Sequence, residues 1–189
     1  NQSIAIKANQ EDNCTGHFWE GRFKSQALLD EAALAACMAY VDLNPVRASM
    51  ANAPEVSDYT SIKQRSVKAR RAHTPNHPQQ QVKTLMPFVG NPRKHMPEGL
   101  PFKLTDYLAL VDWTGRQLRD NKRGAIAGSL PPILERLAID PQQWLYMTNH
   151  FESSFKGLVG CGYRLKQACA QLGYQRIIGY RISKALFNA

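Results

Sequence analysis

Residues 31–43, Glu-Ala-Ala-Leu-Ala-Ala-Cys-Met-Ala-Tyr-Val-Asp-Leu, carry the plainest helical pattern in the chain. Asp30 stands as an N-cap before them, and Asn44-Pro45 closes them, since proline cannot continue a helix. Ala33, Cys37, Tyr40 and Asn44 fall on one helical stripe, and Leu34, Met38 and Val41 on a neighbouring apolar one. Upstream, Gly16 to Arg22 reads as a loop entering a short strand from Phe23 to Leu28, and Ser3 to Ala8 reads as the end of a helix that begins in residues preceding Asn1. Downstream, Thr105 is placed to cap a helix reaching about Asp120, with Tyr107, Leu108, Val111 and Leu118 inward. Pro131-Pro132 opens a short helix from Ile133 to Leu137. Asp140-Pro141-Gln142-Gln143 combines an acidic cap, an N1 proline and a glutamine at the third position, a strong start for a helix to about Lys156. Further helices are expected from Tyr163 to Leu172, ending at Gly173, and from Arg176 to Phe187. No internal repeat is visible.

Between Ser57 and about Leu100 the composition shifts to Arg, Lys, Gln, His and Pro, a stretch with too few apolar residues to fix itself in a core. It reads as a basic, Pro/Gln-rich linker. The expected fold is therefore α+β and mainly helical, with a strand and the Tyr40 helix in residues 1–56, a linker over 57–100, and an all-helical module over 101–189.

Composition adds a partner class. The chain has 189 residues with a formal net charge of +9, distributed as −3 over residues 1–56, +7 over 57–95 and +5 over 96–189. A basic segment followed by a basic C-terminal half favours a polyanion, with nucleic acid ahead of membrane because no basic helix with an aromatic face accompanies the charge. No apolar run approaches the roughly 18 residues needed to span a bilayer, and the N-terminus carries no charged-then-apolar signal, so a cytoplasmic location is expected. Cys14, Cys37, Cys161 and Cys169 are scattered without a Cys-x-x-Cys pair and read as reduced thiols, mostly packing residues.

The stretch Tyr40-Val-Asp-Leu-Asn44-Pro45-Val-Arg47-Ala is where chemistry is expected. A phenol and an amide four residues apart on a helix can be offered to one site. An ordinary tyrosine, with a pKa of about 10, is a poor nucleophile at neutral pH. Attack on a phosphodiester needs help, and a divalent metal that polarises the phosphate is the simplest form. Asn44 can aim its carbonyl oxygen at the same point as the Tyr40 phenol, although a tyrosine on a half-buried helix is more often a packing residue. Arg22 and Lys24 flank Phe23, where they can hold phosphate or simply edge a strand. Arg47 can meet phosphate or cap a helix end. Lys68, Arg70 and Arg71 can track a nucleic-acid backbone, as can the cluster of Arg116, Arg119, Lys122 and Arg123. His73 and His77 are separated by Pro75, which argues against an aligned pair, and Trp113 and Trp144 read as core anchors.

Trp19-Glu20-Gly21-Arg22-Phe23, the Asp30 helix and the Tyr-x-x-x-Asn-Pro-Val-Arg-Ala run resemble, in order and spacing, the second half of the catalytic domain of the REP-associated tyrosine transposases, which act on single-stranded DNA. The segments around 100–124 and 131–144 are similar to the helical extension of longer members. The resemblance implies Tyr40 as the nucleophile that forms a 5′-phosphotyrosine, Asn44 as a metal-binding side chain, and Mg²⁺ or Mn²⁺ in the complete enzyme. It implies hairpin-forming single-stranded DNA as partner and a homodimer as one arrangement. The family's His-hydrophobic-His pair is absent from this chain, so the fragment alone is expected to bind DNA weakly, without cleaving it or holding a metal. The competing expectations are a non-catalytic helix-turn-helix-like module, with residues 140–156 and 163–172 as its helices, and an inactive transposon remnant.

Overall fold

The computed structural model describes residues 2–19, 25–119, 129–155, 157–177 and 179–187. In chain order these form α1 (Gln2–Glu11), β1 (Ala27–Leu28), α2 (Glu31–Asp42), α3 (Asn44–Arg47), α4 (Ser61–Arg71), α5 (Leu104–Arg119), α6 (Pro132–Arg136), α7 (Pro141–Ser154), β2 (Leu158–Val159), α8 (Gly162–Gln171) and α9 (Tyr180–Leu186), with 3-10 turns at Pro54–Val56 and Pro78–Gln80. The chain is mainly helical with a two-stranded parallel sheet, in which Ala27 faces Leu158 and Leu28 faces Val159. Arg22, Lys24, Lys122 and Arg123 lie outside the described residues, as does most of the Trp19–Phe23 motif.

Asp30 caps α2 as its position predicts, its Oδ1 accepting from the Ala33 amide at 2.9 Å. Its second oxygen accepts from the Cys161 amide at 2.6 Å, so one carboxylate starts α2 and also fixes the chain where α8 begins. A side chain on Gly160 would meet Asp30 Oδ2 and the Leu29 Cβ, each at 2.9 Å, so glycine is what lets these backbones approach. Gln26 adds a bond from Nε2 to the Phe155 carbonyl at 2.6 Å. Residues 26–30 and 155–161 are thus bound together, and α2 makes its most extensive helix contact with α7.

The buried face of α2 is Ala33, Ala35, Ala36 and Ala39, followed by Leu43, and it is displaced from both expected stripes: Val41 and Asn44 are exposed. Small residues on this face let α7 lie close. Asn44-Pro45 ends α2 as expected but opens α3 at once, because Pro45 has no N–H for the α2 ladder and is well suited to a first helical turn.

Residues 57–100 do not form the expected linker. α4 packs on the Pro54–Val56 turn and on α5, while Ile62, Phe88 and Leu100 join the same core as Ala36, Tyr107, Trp144 and Phe151. The reason is a set of polar side chains that replace the missing apolar ones. Buried Asp42 accepts from the Tyr107 hydroxyl at 2.6 Å, the Ser61 hydroxyl at 3.0 Å and the Ile62 amide at 3.1 Å, and so caps α4 from another helix. Gln81 pairs with both backbone groups of Phe88, each at 2.8 Å. Arg65 is buried over the Phe88 ring, 4.7 Å from its centroid, and donates to the Met86 carbonyl. Asn76 accepts from the Thr105 amide at 3.0 Å, which makes Asn76 a cap for α5.

A helix-turn-helix from α7 and α8 is not formed. The intervening residues contain β2, which pairs with β1, and α8 packs on α9. Trp113 and Trp144 behave as core anchors: both are buried, and the Trp144 indole donates to Thr114 Oγ1 at 2.9 Å.

Candidate functional site around Tyr40 and Asn44

Tyr40 leaves α2 half-buried, its ring held between the Arg47 guanidinium, 3.8 Å from the centroid, and the Phe151 ring at 5.8 Å. The two contacts fix the ring plane and leave the hydroxyl at its far end. That hydroxyl lies 3.4 Å from Glu152 Oε2, a long hydrogen bond. Tyr40 and Glu152 both line a cleft of about 980 Å³, together with Gln26, Asn149, His150, Ser153 and Phe155. α7 departs from helical geometry at His150 (φ −119°, ψ 22°), within the stretch that forms this wall, and the His150 ring stacks on Tyr146.

Arg47 is the clamp of the region. One terminal nitrogen donates to the Thr148 carbonyl on α7 at 2.7 Å, and the other to the Tyr40 carbonyl at 3.1 Å and to Asn44 Oδ1 at 2.9 Å. A cation over the carbonyl end of α2 is favourably placed against the helix dipole. The donors expected to be offered to phosphate are used to join α2, α3 and α7.

Tyr40 and Asn44 therefore share Arg47 but not a site. The turn at Leu43 and Pro45 sends the exposed Asn44 to a second groove, lined by Cys37, Met38, Val41, Pro45, Met50 and Tyr59 together with polar residues. Asn44 Oδ1, the atom expected to bind a divalent cation, instead accepts from a guanidinium. A metal there would face a positive charge one hydrogen bond away. Among the described residues no three His, Cys, Asp or Glu side chains converge as a metal cluster. The described residues alone do not assemble a Mg²⁺ or Mn²⁺ centre, and Asn44 Oδ1 is engaged by Arg47.

Lys68, Arg70 and Arg71 are exposed in the last turn of α4, and among the described residues no acidic side chain pairs with them. Arg116 pairs with Asp112 on its own helix and, with Arg70, borders a groove between α4 and α5. Arg119 is the last residue of α5. His73 and His77 are exposed and lie in the loop after α4.

Two features had no signal in the sequence. Glu152 meets Tyr40 from 112 positions away, and Asp42 joins Tyr107 across 65, so no local spacing reveals either pair. Tyr107 is fully buried, and its phenol is held well above the ordinary value, first by burial and then by the Asp42 carboxylate. Burial lowers Arg65 below the usual guanidinium value, partly offset by Tyr107 and Asp42. Among the described residues no helix is long and apolar enough to cross a membrane. We found no family model, curated protein or solved structure that matches this chain.

Proposed function

We propose that the chain is the C-terminal portion of a tyrosine transposase that cleaves and rejoins single-stranded DNA, with Tyr40 as nucleophile. The observation that carries the reading is the clamped Tyr40 ring with its hydroxyl beside Glu152 in a cleft that both residues line, within the Tyr-x-x-x-Asn-Pro-Val-Arg-Ala run that resembles those enzymes. The exposed Lys68, Arg70 and Arg71 in the last turn of α4 support a polyanion partner.

In this reading the phenol gives its proton to the Glu152 carboxylate while Oη attacks the phosphorus in line. The Oη–P bond forms as the P–O3′ bond breaks, and the leaving 3′-oxygen takes a proton from water. Clamping the ring by Arg47 and Phe151 supplies orientation. Polarising the phosphate is a separate task, and Arg47 has committed its terminal nitrogens to protein acceptors. The isolated chain is therefore assigned DNA binding without cleavage, and no step passes through a metal.

The test joins the 189-residue chain to an N-terminal transposase half bearing the His-hydrophobic-His strand and supplies a hairpin-flanked single-stranded oligonucleotide. A covalent DNA adduct mapped to Tyr40 by mass spectrometry, and absent from Tyr40→Phe, is the expected result. An adduct on another residue, or none while the isolated chain also fails to bind the oligonucleotide, overturns the reading.

A further inference from the structure

The groove that receives Asn44 holds a side chain that packing does not explain. Tyr59 is completely solvent-exposed (relative accessibility 106%) and sits at φ +62°, a left-handed conformation that a bulky residue adopts only when its surroundings impose it. The surroundings do impose it. Ser57 is buried and donates from Oγ to the Ala53 carbonyl at 3.0 Å, and Thr60 donates from Oγ1 to the Ser57 carbonyl at 2.7 Å. Asp58 is tied to Lys63. These bonds hold the loop backbone that carries the exposed ring, so little backbone freedom remains to be lost on binding.

The groove that Tyr59 lines is largely apolar. Val41 is 59% and Met50 82% exposed, and Met38 and Pro45 continue the surface. The rim is polar: Asn44, Asp58, Thr60 and Ser61. Asn44 gives its Oδ1 to Arg47, while its Nδ2 donates to no described residue and stays available. An apolar slot of about 550 Å³ with an exposed aromatic and hydrogen-bonding rim suits a flat ring with apolar faces and polar edges. Ser61, on the rim, is also the first residue of α4, whose last turn carries Lys68, Arg70 and Arg71. A negatively charged backbone following that helix has cations to meet, which favours a nucleic-acid strand over an apolar protein segment.

Resting on the single-strand reading above, we propose that this groove binds an unpaired nucleobase of single-stranded DNA, stacked on Tyr59, with the Asn44 Nδ2 donating to the base edge. Asn44 is then a base-contacting residue.

The experiment is an anisotropy titration of the full 189-residue chain with a labelled oligo(dT) and with an abasic oligonucleotide of the same length. Tyr59→Ala weakens oligo(dT) binding about 5- to 150-fold, the loss of one base–aromatic stack. Tyr59→Phe binds as the native chain does, and the abasic strand erases the difference between native and Tyr59→Ala. Because the Tyr59 side chain is fully exposed and holds no part of the core, circular dichroism of Tyr59→Ala matches the native chain. If Tyr59→Ala binds oligo(dT) normally while a Lys68→Ala, Arg70→Ala, Arg71→Ala triple variant loses affinity, the groove inference fails and the single-strand reading stands. If the native chain binds no oligonucleotide, both fall. If Tyr59→Ala turns a dimer into a monomer in sedimentation at unchanged DNA affinity, the groove is a protein interface and the inference is overturned.

Discussion

At the scale of single residues, the same short sequence supplies side chains with opposite fates. Tyr40 and Asn44 are exposed enough to act, whereas Asp42, two residues after the tyrosine, is buried and organises the interior. The Asp42 carboxylate accepts from Tyr107, Ser61 and Ile62, and the Tyr107 bond has a readable consequence. The folded Tyr107 phenol is held above its unfolded value of about 10 by burial and by Asp42. A group raised in this way stabilises fully below the unfolded value. Its contribution is lost as pH rises from about 10 through the folded value, because the unfolded chain ionises first. Tyr107→Phe is expected to cost about 1–3 kcal/mol at neutral pH in a denaturant titration and to flatten the decline in stability above pH ~10. An unchanged alkaline slope in the variant would remove Tyr107 from that role.

At the scale of elements, helices announced by their caps were readable, and those held from a distance were not. Asp30 and Asp140 each bond the amides of their own first turn, so α2 and α7 begin where the sequence places them. α4 has no such local signal: Thr60 makes no side-chain cap bond, and the cap is Asp42 from α2. A basic helix of this kind reads as solvated chain until its partner is known. For the same reason the Tyr-x-x-x-Asn run was visible as a motif, while the packing of Arg47 and Phe151 on the Tyr40 ring and the separation of Tyr40 from Asn44 were not. A four-residue interval implies one face only if the helix continues, and Pro45 ends it. The junction of β1, α2 and β2 gives a sharper test. A methyl group on Gly160 would press on Asp30 Oδ2 and Leu29 Cβ at 2.9 Å, contacts that cannot stand without a shift. Gly160→Ala is expected to lower stability by about 1–3 kcal/mol, read as a lower midpoint in a denaturant titration. A neutral Gly160→Ala variant would mean that Asp30 is not the link between α2 and α8.

For the whole molecule, the division into a catalytic remnant, a linker and a separate helical module gives way to one interlocked core. Phe151, Phe155 and Val159 from the C-terminal part are buried with Ala36 and Ala39 from the N-terminal part, and Phe88 and Leu100 from the middle belong to the same cluster. Residues 101–189 alone would expose the face of α7 that α2 covers and leave β2 without β1. They would also lose Asp42 as acceptor for the buried Tyr107 hydroxyl, leaving a polar group without its partner. A chain of residues 101–189 expressed alone is therefore expected to show helical circular dichroism without a cooperative thermal transition, whereas the full chain unfolds in one step. Adding a separate chain of residues 1–100 should restore the transition, because the missing surface is supplied without a covalent link. A cooperative transition in the 101–189 chain alone would re-establish it as an independent module. The cleft at Tyr40, walled by Gln26 on one side and by Asn149, His150, Glu152, Ser153 and Phe155 on the other, would then be the meeting of two domains, and its width would follow their relative movement.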